Sequence, residues 1–422
     1  MMSETRVVFL FAVWVLAVVS AAADDGLTRR DGQYVRLTTD LASEEEVQRL
    51  VESFDAAVPQ WIQFWNLSNS DFASFQVDAC VMRDPERFKR QGLIPENVPD
   101  FPFGYAQGQQ IWVHAQPSEY YTRHLMLHEG VHCLAFAAFG GAGPTWYQEG
   151  TAELLATHAG TGTELTVNRI PANRQEVPYW GRFKRMAQQR RDGMIPSLST
   201  VMGYQPDLKG NVGTYGWSWA AAMLLHAYPE YREAFFAAAK NGRTVGPGFN
   251  RRLERTLGQQ LPILAARWQV MSQDLDYGFD WSRERVNLSI DDPIWDGRSL
   301  TATVSADRGW QSAGVRVPRG ARLRLKASGE VTLARTTRPW ISQPRGITFQ
   351  YHRGRPLGQL LFCVLPNATD FDAATVGPLP IFELSDEASI DIPQFSWLLF
   401  RVNDDVSKLE DNRGHYEVTV SR

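Results

Sequence analysis

The stretch LMLHEGVHCLAF, Leu125 to Phe136, restricts this chain more than any other part of it. His128 and His132 stand four residues apart, and a helix sets them on one face, one above the other. The flanks supply such a helix. Pro117-Ser118 reads as its start and Gly140-Gly141 as its stop, so a long helix is expected from Glu119 to about Phe139. Two imidazoles at that spacing can reach one metal ion. Glu129 projects to one side of the pair, where a carboxylate can take a proton from water as general base. Two histidines are not a complete set, because a catalytic zinc site takes three protein ligands and keeps a fourth position open.

The next candidate ligand follows a loop. GAGPTWYQEGTAELLA places Glu149 early in a second helix, expected around Tyr147 to His158, which can fold back on the first. Glu153 lies one turn further on the same face and can accept a hydrogen bond from a ligand histidine, fixing its tautomer. His124 extends the stripe by one turn, too far for the same tetrahedral site, so it is expected to support the ligands or to sit on the helix face. His158 is expected at the surface. Cys133 points about 100° away from His132 on the helix and reads as a small buried hydrophobe.

His-Glu-x-x-His, a loop, then Glu-Gly-x-Ala-Glu resembles the gluzincin metallopeptidases, and within them the bacterial peptidase MA-like domains. The likeness spans roughly Tyr34 to Trp281 and is strongest from His124 to Ala156. It implies zinc bound by His128, His132 and Glu149, with Glu129 as catalytic base. It also implies a tyrosine at the start of a later helix that stabilises the oxyanion, and Tyr215 in GTYGWSWAAAMLL is the match, though Gly216-Trp217 departs from the usual pattern. The strand GQQIWVHA would be the edge along which an extended peptide pairs. No Gly-x-Met-Glu-Asn stretch is present, so an endopeptidase is expected rather than an aminopeptidase.

The remaining chain reads as α+β. YVRLTTD (residues 34–40), SFQVDACVMRD (74–84) and QQIWVHAQ (109–116) alternate like strands. ASEEEVQRLVESFDAAVPQWIQFW reads as a helix opened by a capping box of Ser43 with Glu46. A Pro/Gly-rich excursion from Pro85 to Gly108 is of the kind that rims a site. Helices with loops continue to about Trp281. A gluzincin-type domain, a small sheet plus a helical part, is therefore expected over 33–283.

From Leu300 onward short alternating runs separated by Gly, Pro, Asn and Asp replace the helical period, which is a β-sandwich pattern over 298–422, with a boundary near Asn287 to Arg298. Its last stretch, FRVNDDVSKLEDNRGHYEVTV, offers Asp404, Asp411 and Asn412 around a turn that ends at Gly414. These are oxygen donors suited to calcium, or simply to turn geometry. With VSADRGWQSAGVRVPRGARLRLKASGEV, this region is similar to calcium-dependent galactose-binding bacterial lectins of the PA-IL type. The likeness implies calcium at Asp404, Asp411, Asn412 and the carbonyl of Lys408, with a carbohydrate bound at the ion. Leu333 replaces a tyrosine of those lectins, which weakens sugar recognition more than ion binding.

With 422 residues, 44% hydrophobic and 21% charged, the chain can bury two domain cores. A formal net charge of -4 gives no reason to expect a nucleic-acid partner. Three cysteines, widely spaced, are no disulfide framework. Arg6, the apolar run Val7 to Val19 and the small residues before Asp24 read as an export signal cleaved after Ala23 (1–23), or else kept as an anchor. No other run has membrane length, so the mature chain should carry no span. The reading is an exported zinc metallopeptidase acting on protein or peptide, with a β domain that binds calcium and carbohydrate. The alternative is a non-catalytic carbohydrate-binding or scaffold protein with a vestigial zinc site.

Overall fold

The computed structural model describes residues 26–206, 211–334, 338–366 and 375–422, so the export signal expected over 1–23 lies outside the described residues. No helix among the described residues is long and apolar enough to cross a membrane. The structure is mixed α+β with a β-rich C-terminal part.

The first sheet contains β1 (Thr28–Asp31), β2 (Val35–Thr39), β3 (Val77–Met82), β4 (Gly104–Gln107) and β5 (Gln110–His114) in the order β1-β2-β3-β5-β4. β2, β3 and β5 are parallel, and β1 and β4 close the two edges antiparallel. Period-two alternation buries Val35, Leu37, Val77, Ala79 and Val81 in the main core. Between the strands run α1 (Glu44–Phe64) and α2 (Pro85–Arg90). Ser43 caps α1 as the sequence indicated, its Oγ accepting the Glu46 N–H at 3.2 Å.

One reading of this part needs correction. The Pro85–Gly108 excursion holds α2 and β4. Consequently β5, the strand expected at the edge, is an inner strand, hydrogen-bonded to β3 on one side and β4 on the other. Four residues of β4 carry too short an alternation to announce a strand, and the turn through Gly108 (φ +63°) folds it onto β5.

The helix expected over Glu119 to Phe139 is α3 (Glu119–Phe139), capped by the Ser118 side chain on the Tyr121 N–H and ended by left-handed Gly140. α4 (Thr145–Ala156) packs beside it. A small hairpin, β6 (His158–Ala159) and β7 (Thr166–Val167), precedes α5 (Arg182–Arg191), α6 (Leu198–Met202), α7 (Val212–Ala227), α8 (Pro229–Ala239), α9 (Pro247–Leu257), α10 (Leu261–Asp274) and α11 (Trp281–Glu284). α4 lies tightly against α7. A Cβ on Gly150 would stand 2.4 Å from the Ser218 carbonyl oxygen, so the glycine next to Glu149 is what lets these two helices meet.

The C-terminal part stacks two sheets. One joins β8 (Leu300–Ser305), β10 (Arg322–Thr332), β11 (Ile341–Ser342), β16 (Glu387–Asp391) and β18 (Arg413–Ser421). The other, in the order β15-β14-β17-β9, joins β9 (Gln311–Val317), β14 (Leu360–Pro366), β15 (Ile381–Glu383) and β17 (Ser396–Val402). β12 (Ile347–His352) and β13 (Arg355–Leu357) form a separate hairpin. Leu360, Phe362, Leu398, Phe400 and Val402 face inward to the sandwich core. Their alternates, Leu361, Cys363, Leu365, Trp397 and Leu399, do not meet water. They pack on Ile263, Ala266 and Val270 of α10 and on Val286 and Leu288 of the segment leading to the β part. The two parts of the chain therefore share an apolar seam.

A buried charge cluster lies at one end of that seam. Asp274 accepts hydrogen bonds from Arg401 at 2.6 Å, Trp310 Nε1 at 2.9 Å and Arg353. Arg401 also approaches Glu284 at 3.4 Å. Burial, helped by the charge of Asp274 and opposed by Arg401, raises the Glu284 carboxyl to about 7. An unfolded glutamate ionises near its ordinary value of 4.5, so between these values the folded chain holds a proton that the unfolded one has lost. Stability from this group therefore falls as pH rises from about 4.5 to 7. Glu284→Gln, which stays neutral, is expected to match the parent near pH 5 and to melt a few degrees higher at pH 8. Melting curves of equal pH slope in both proteins would remove Glu284 as the source.

Candidate metal centre

α3 is buried over most of its circumference, and its polar stripe faces α4 rather than water. His128 Nε2 lies 3.0 Å from Glu149 Oε2, and His132 Nε2 lies 3.6 Å from the same oxygen. The two imidazole rings stand perpendicular, with centroids 4.8 Å apart. These three buried residues form a group whose ligand atoms could hold one metal ion. Ligands at bond lengths of about 2.0–2.2 Å around a tetrahedral ion sit roughly 3.3–3.6 Å from one another; the His132–Glu149 spacing matches that range, while His128 and Glu149 stand closer, at hydrogen-bond length.

Electrostatics describe the same site with protons in place of an ion. Burial disfavours charge on His128, but hydrogen bonding to Glu149 and Glu153 and the charges of Glu153 and Glu129 outweigh it and raise its pKa to about 10. Glu149 is opposed by burial yet held well below the usual carboxylate range by His128 and His132. An incoming ion must displace the His128 proton, so metal affinity is coupled to pH.

A second group, His124, His128 and Glu153, also meets the distance test for a metal. It is better explained without one. Arg182 holds Glu153 through two bonds, Nη2 to Oε1 at 2.7 Å and Nε to Oε2 at 3.1 Å, and Trp180 Nε1 adds a third at 3.3 Å. A cation placed there would face a buried guanidinium. Glu153 instead lies 3.4 Å from both His124 Nε2 and His128 Nδ1.

Glu129 is buried beside the three-residue group. The backbone of β4 approaches it so closely that a Cβ on Gly104 would lie 2.6 Å from its Oε1. Tyr215, in the first turn of α7, has its ring 5.9 Å from that of His128. The Arg182 guanidinium lies 5.3 Å from the Tyr215 ring and 5.9 Å from the Tyr121 ring. A cleft of about 360 Å³ joins these groups, with His128, Glu129, His132, Glu149 and Tyr215 on one wall and Gly104 to Ala106 of β4 on another. Every residue expected in the zinc site is thus brought together.

Arg182 was missed, since nothing in PYWGRF distinguishes it among the 43 Lys and Arg of the chain. His158 was misplaced. It is buried, stacked 4.5 Å from the Tyr120 ring, and its Nε2 accepts a bond from Arg123 Nε at 2.9 Å. The β6 strand that follows α4 turns it inward. Cys133 is buried as expected.

The expected calcium residues are less closely gathered. Asp404 is buried and accepts from Asn412 Nδ2 at 2.9 Å, and burial is the main cause raising its pKa to about 6. Asn412 Oδ1 is buried with no hydrogen-bond partner. Asp411 and Lys408 are exposed, on a short 3-10 helix over Val406–Asp411.

No family model and no curated protein matches the chain. Among solved structures, a domain described as "EclA N-terminal domain; PllA-like lectin" matches at 18% identity and a TM-score of 0.23, covering 29% of this chain and 94% of its own. The Aeromonas hydrophila protein PliG, a periplasmic lysozyme inhibitor of g-type lysozyme, matches at 11% identity and a TM-score of 0.17, covering 33% of this chain and 96% of its own. Likenesses at these scores decide neither fold nor ligand.

Proposed function

We propose that the chain is an exported zinc-dependent peptidase that cleaves within polypeptides. The observation that carries this reading is the convergence of His128, His132 and Glu149 beside a buried carboxylate, Glu129, in a cleft bordered by a strand edge. Zinc held by those three residues would supply Lewis acidity to the scissile carbonyl and to water. The chain's own groups do the rest. An extended substrate adds to β4, the last strand of the sheet, through its backbone. Glu129 takes a proton from the attacking water and returns it to the leaving nitrogen. Tyr215 donates its hydroxyl hydrogen to the oxyanion. Glu153 keeps His128 in the tautomer that presents Nε2, and Arg182 keeps Glu153 in place.

A purely structural site needs no base beside its metal, which disfavours a binding-only protein. In the β part, the buried and unpartnered Asn412 Oδ1 next to Asp404 favours a calcium ion there, with the Lys408 carbonyl and Asp411 completing the set and a carbohydrate as its ligand.

Metal analysis combined with a proteome-wide cleavage screen tests the peptidase reading. The wild type is expected to carry one zinc per chain and to produce new peptide termini. Glu149→Ala is expected to lose zinc to mild chelation and to cleave nothing. Stoichiometric zinc in that variant would move the third ligand elsewhere, and a wild type that binds zinc without cutting would favour the binding-only alternative.

A further inference from the structure

Resting on the peptidase reading, we infer that Arg182 is a positioning residue for Tyr215 as well as for Glu153. One buried guanidinium thus aligns both the oxyanion donor and the carboxylate behind His128. Three of its nitrogens are committed: Nε and Nη2 bond Glu153, and Nη1 bonds the Trp180 carbonyl at 3.1 Å. Three aromatic rings surround the same group. Its central carbon lies 5.3 Å from the Tyr215 ring, 5.9 Å from Tyr121 and 6.0 Å from Trp180, within the reach of cation–π attraction. On its other side the Tyr215 ring meets the His128 ring at 5.9 Å. The phenol is therefore held between an imidazole of the metal group and a cation that cannot shift without breaking its bonds to Glu153.

Two backbone features produce this contact. Tyr179 and Gly181, on either side of Trp180, both take left-handed conformations, with φ of +68° and +69°. Glycine does so freely, but an aromatic residue there is strained, and such strain gathers at functional sites. The double bend turns Arg182, the first residue of α5, into the interior, where it is 4% exposed. From the opposite side, α7 presents Gly216 directly after Tyr215. A Cβ on Gly216 would lie 3.1 Å from Met186 Sδ and 3.7 Å from Arg182 Cβ, so the bare backbone lets α5 come up against α7. Lysine at 182 would keep the charge, yet it has neither the fork for Glu153 nor the flat group for the ring.

The test has two arms. In the first, tyrosine rings are isotope-labelled for NMR in the metal-free protein, and the Tyr215 signal is assigned by its loss in Tyr215→Phe. Arg182→Lys is expected to move that signal. Gly216→Val, which pushes α5 away and leaves the arginine in the chain, should move it too and serves if the lysine variant does not fold. The second arm is a double-mutant cycle on kcat at saturating zinc, which keeps any loss of metal through Glu153 out of the comparison. Its substrate is a quenched-fluorescent peptide built on a site found in the cleavage screen. Tyr215→Phe is expected to lower kcat about 100-fold. Arg182→Lys should lower it about 10-fold with KM little changed. Because the arginine acts through the phenol, the double variant should fall no further than Tyr215→Phe alone. Losses that multiply to about 1000-fold would overturn the inference. So would a Tyr215 signal that neither variant moves. A moved signal in a protein that cleaves nothing would keep Arg182 as the residue that orients Tyr215 and defeat the peptidase reading instead.

Discussion

Glu129→Gln is expected to lower turnover by about three orders of magnitude and to leave the metal content of the protein unchanged. The two halves of this expectation have separate causes. Glu129 is not one of the three residues whose ligand atoms converge, so removing its charge leaves His128, His132 and Glu149 to hold the ion. The amide has the shape of the carboxylate, and so it fits the narrow space left under the Gly104 backbone. What is lost is the proton acceptor, a contribution commonly worth about 10²–10⁴ in rate. Zinc content and single-turnover cleavage, measured on one preparation, decide the matter. A zinc-replete variant with near-parental turnover would show that another group takes the proton.

Arg182→Met is expected to do the larger structural damage. Arg182 and Glu153 are both buried and make two bonds to each other, so the substitution takes from a buried carboxylate its guanidinium counter-charge and leaves it Trp180 Nε1 and the neighbouring histidines. Breaking such a pair costs about 3–5 kcal/mol of folding stability. A supporting group lost from a metal ligand typically also costs about 10- to 100-fold in metal affinity. Denaturant unfolding of the metal-free protein measures the first effect, and competition with a chelator the second. The double variant Arg182→Met, Glu153→Gln should recover much of the stability, because no charge is then stranded, but not the metal affinity. If the double variant regained full affinity, Glu153 would have no part in orienting His128.

The group of residues that could hold a metal was legible because its residues are local. His128, Glu129 and His132 fall within two helical turns, and Glu149 and Glu153 share one face of the next helix, so helical period sets each helix's face. Arg182 and His158 were not legible. Each is positioned by a chain reversal after α4, and a buried arginine looks the same in sequence as an exposed one until its carboxylate is known. β4 escaped notice because its four residues carry less pattern than the proline and glycine around them. The β-rich character of the C-terminal part was plain, since LLFCVLP and SWLLFRV read as strands at once. Their unbroken apolar runs held a second message. A sandwich strand with one wet face alternates, whereas these do not.

That missing alternation bears on how such a chain can have been assembled. A sugar-binding module that travels between genes as a cassette needs an outer surface content with water on every side. Here Leu361, Leu365, Trp397 and Leu399 are committed to Ile263, Ala266 and Val270 of α10. Cut free, the β part would carry an oily flank into each new host, and the helical part would be left with a bare α10. A change on one side of the seam must therefore be answered on the other.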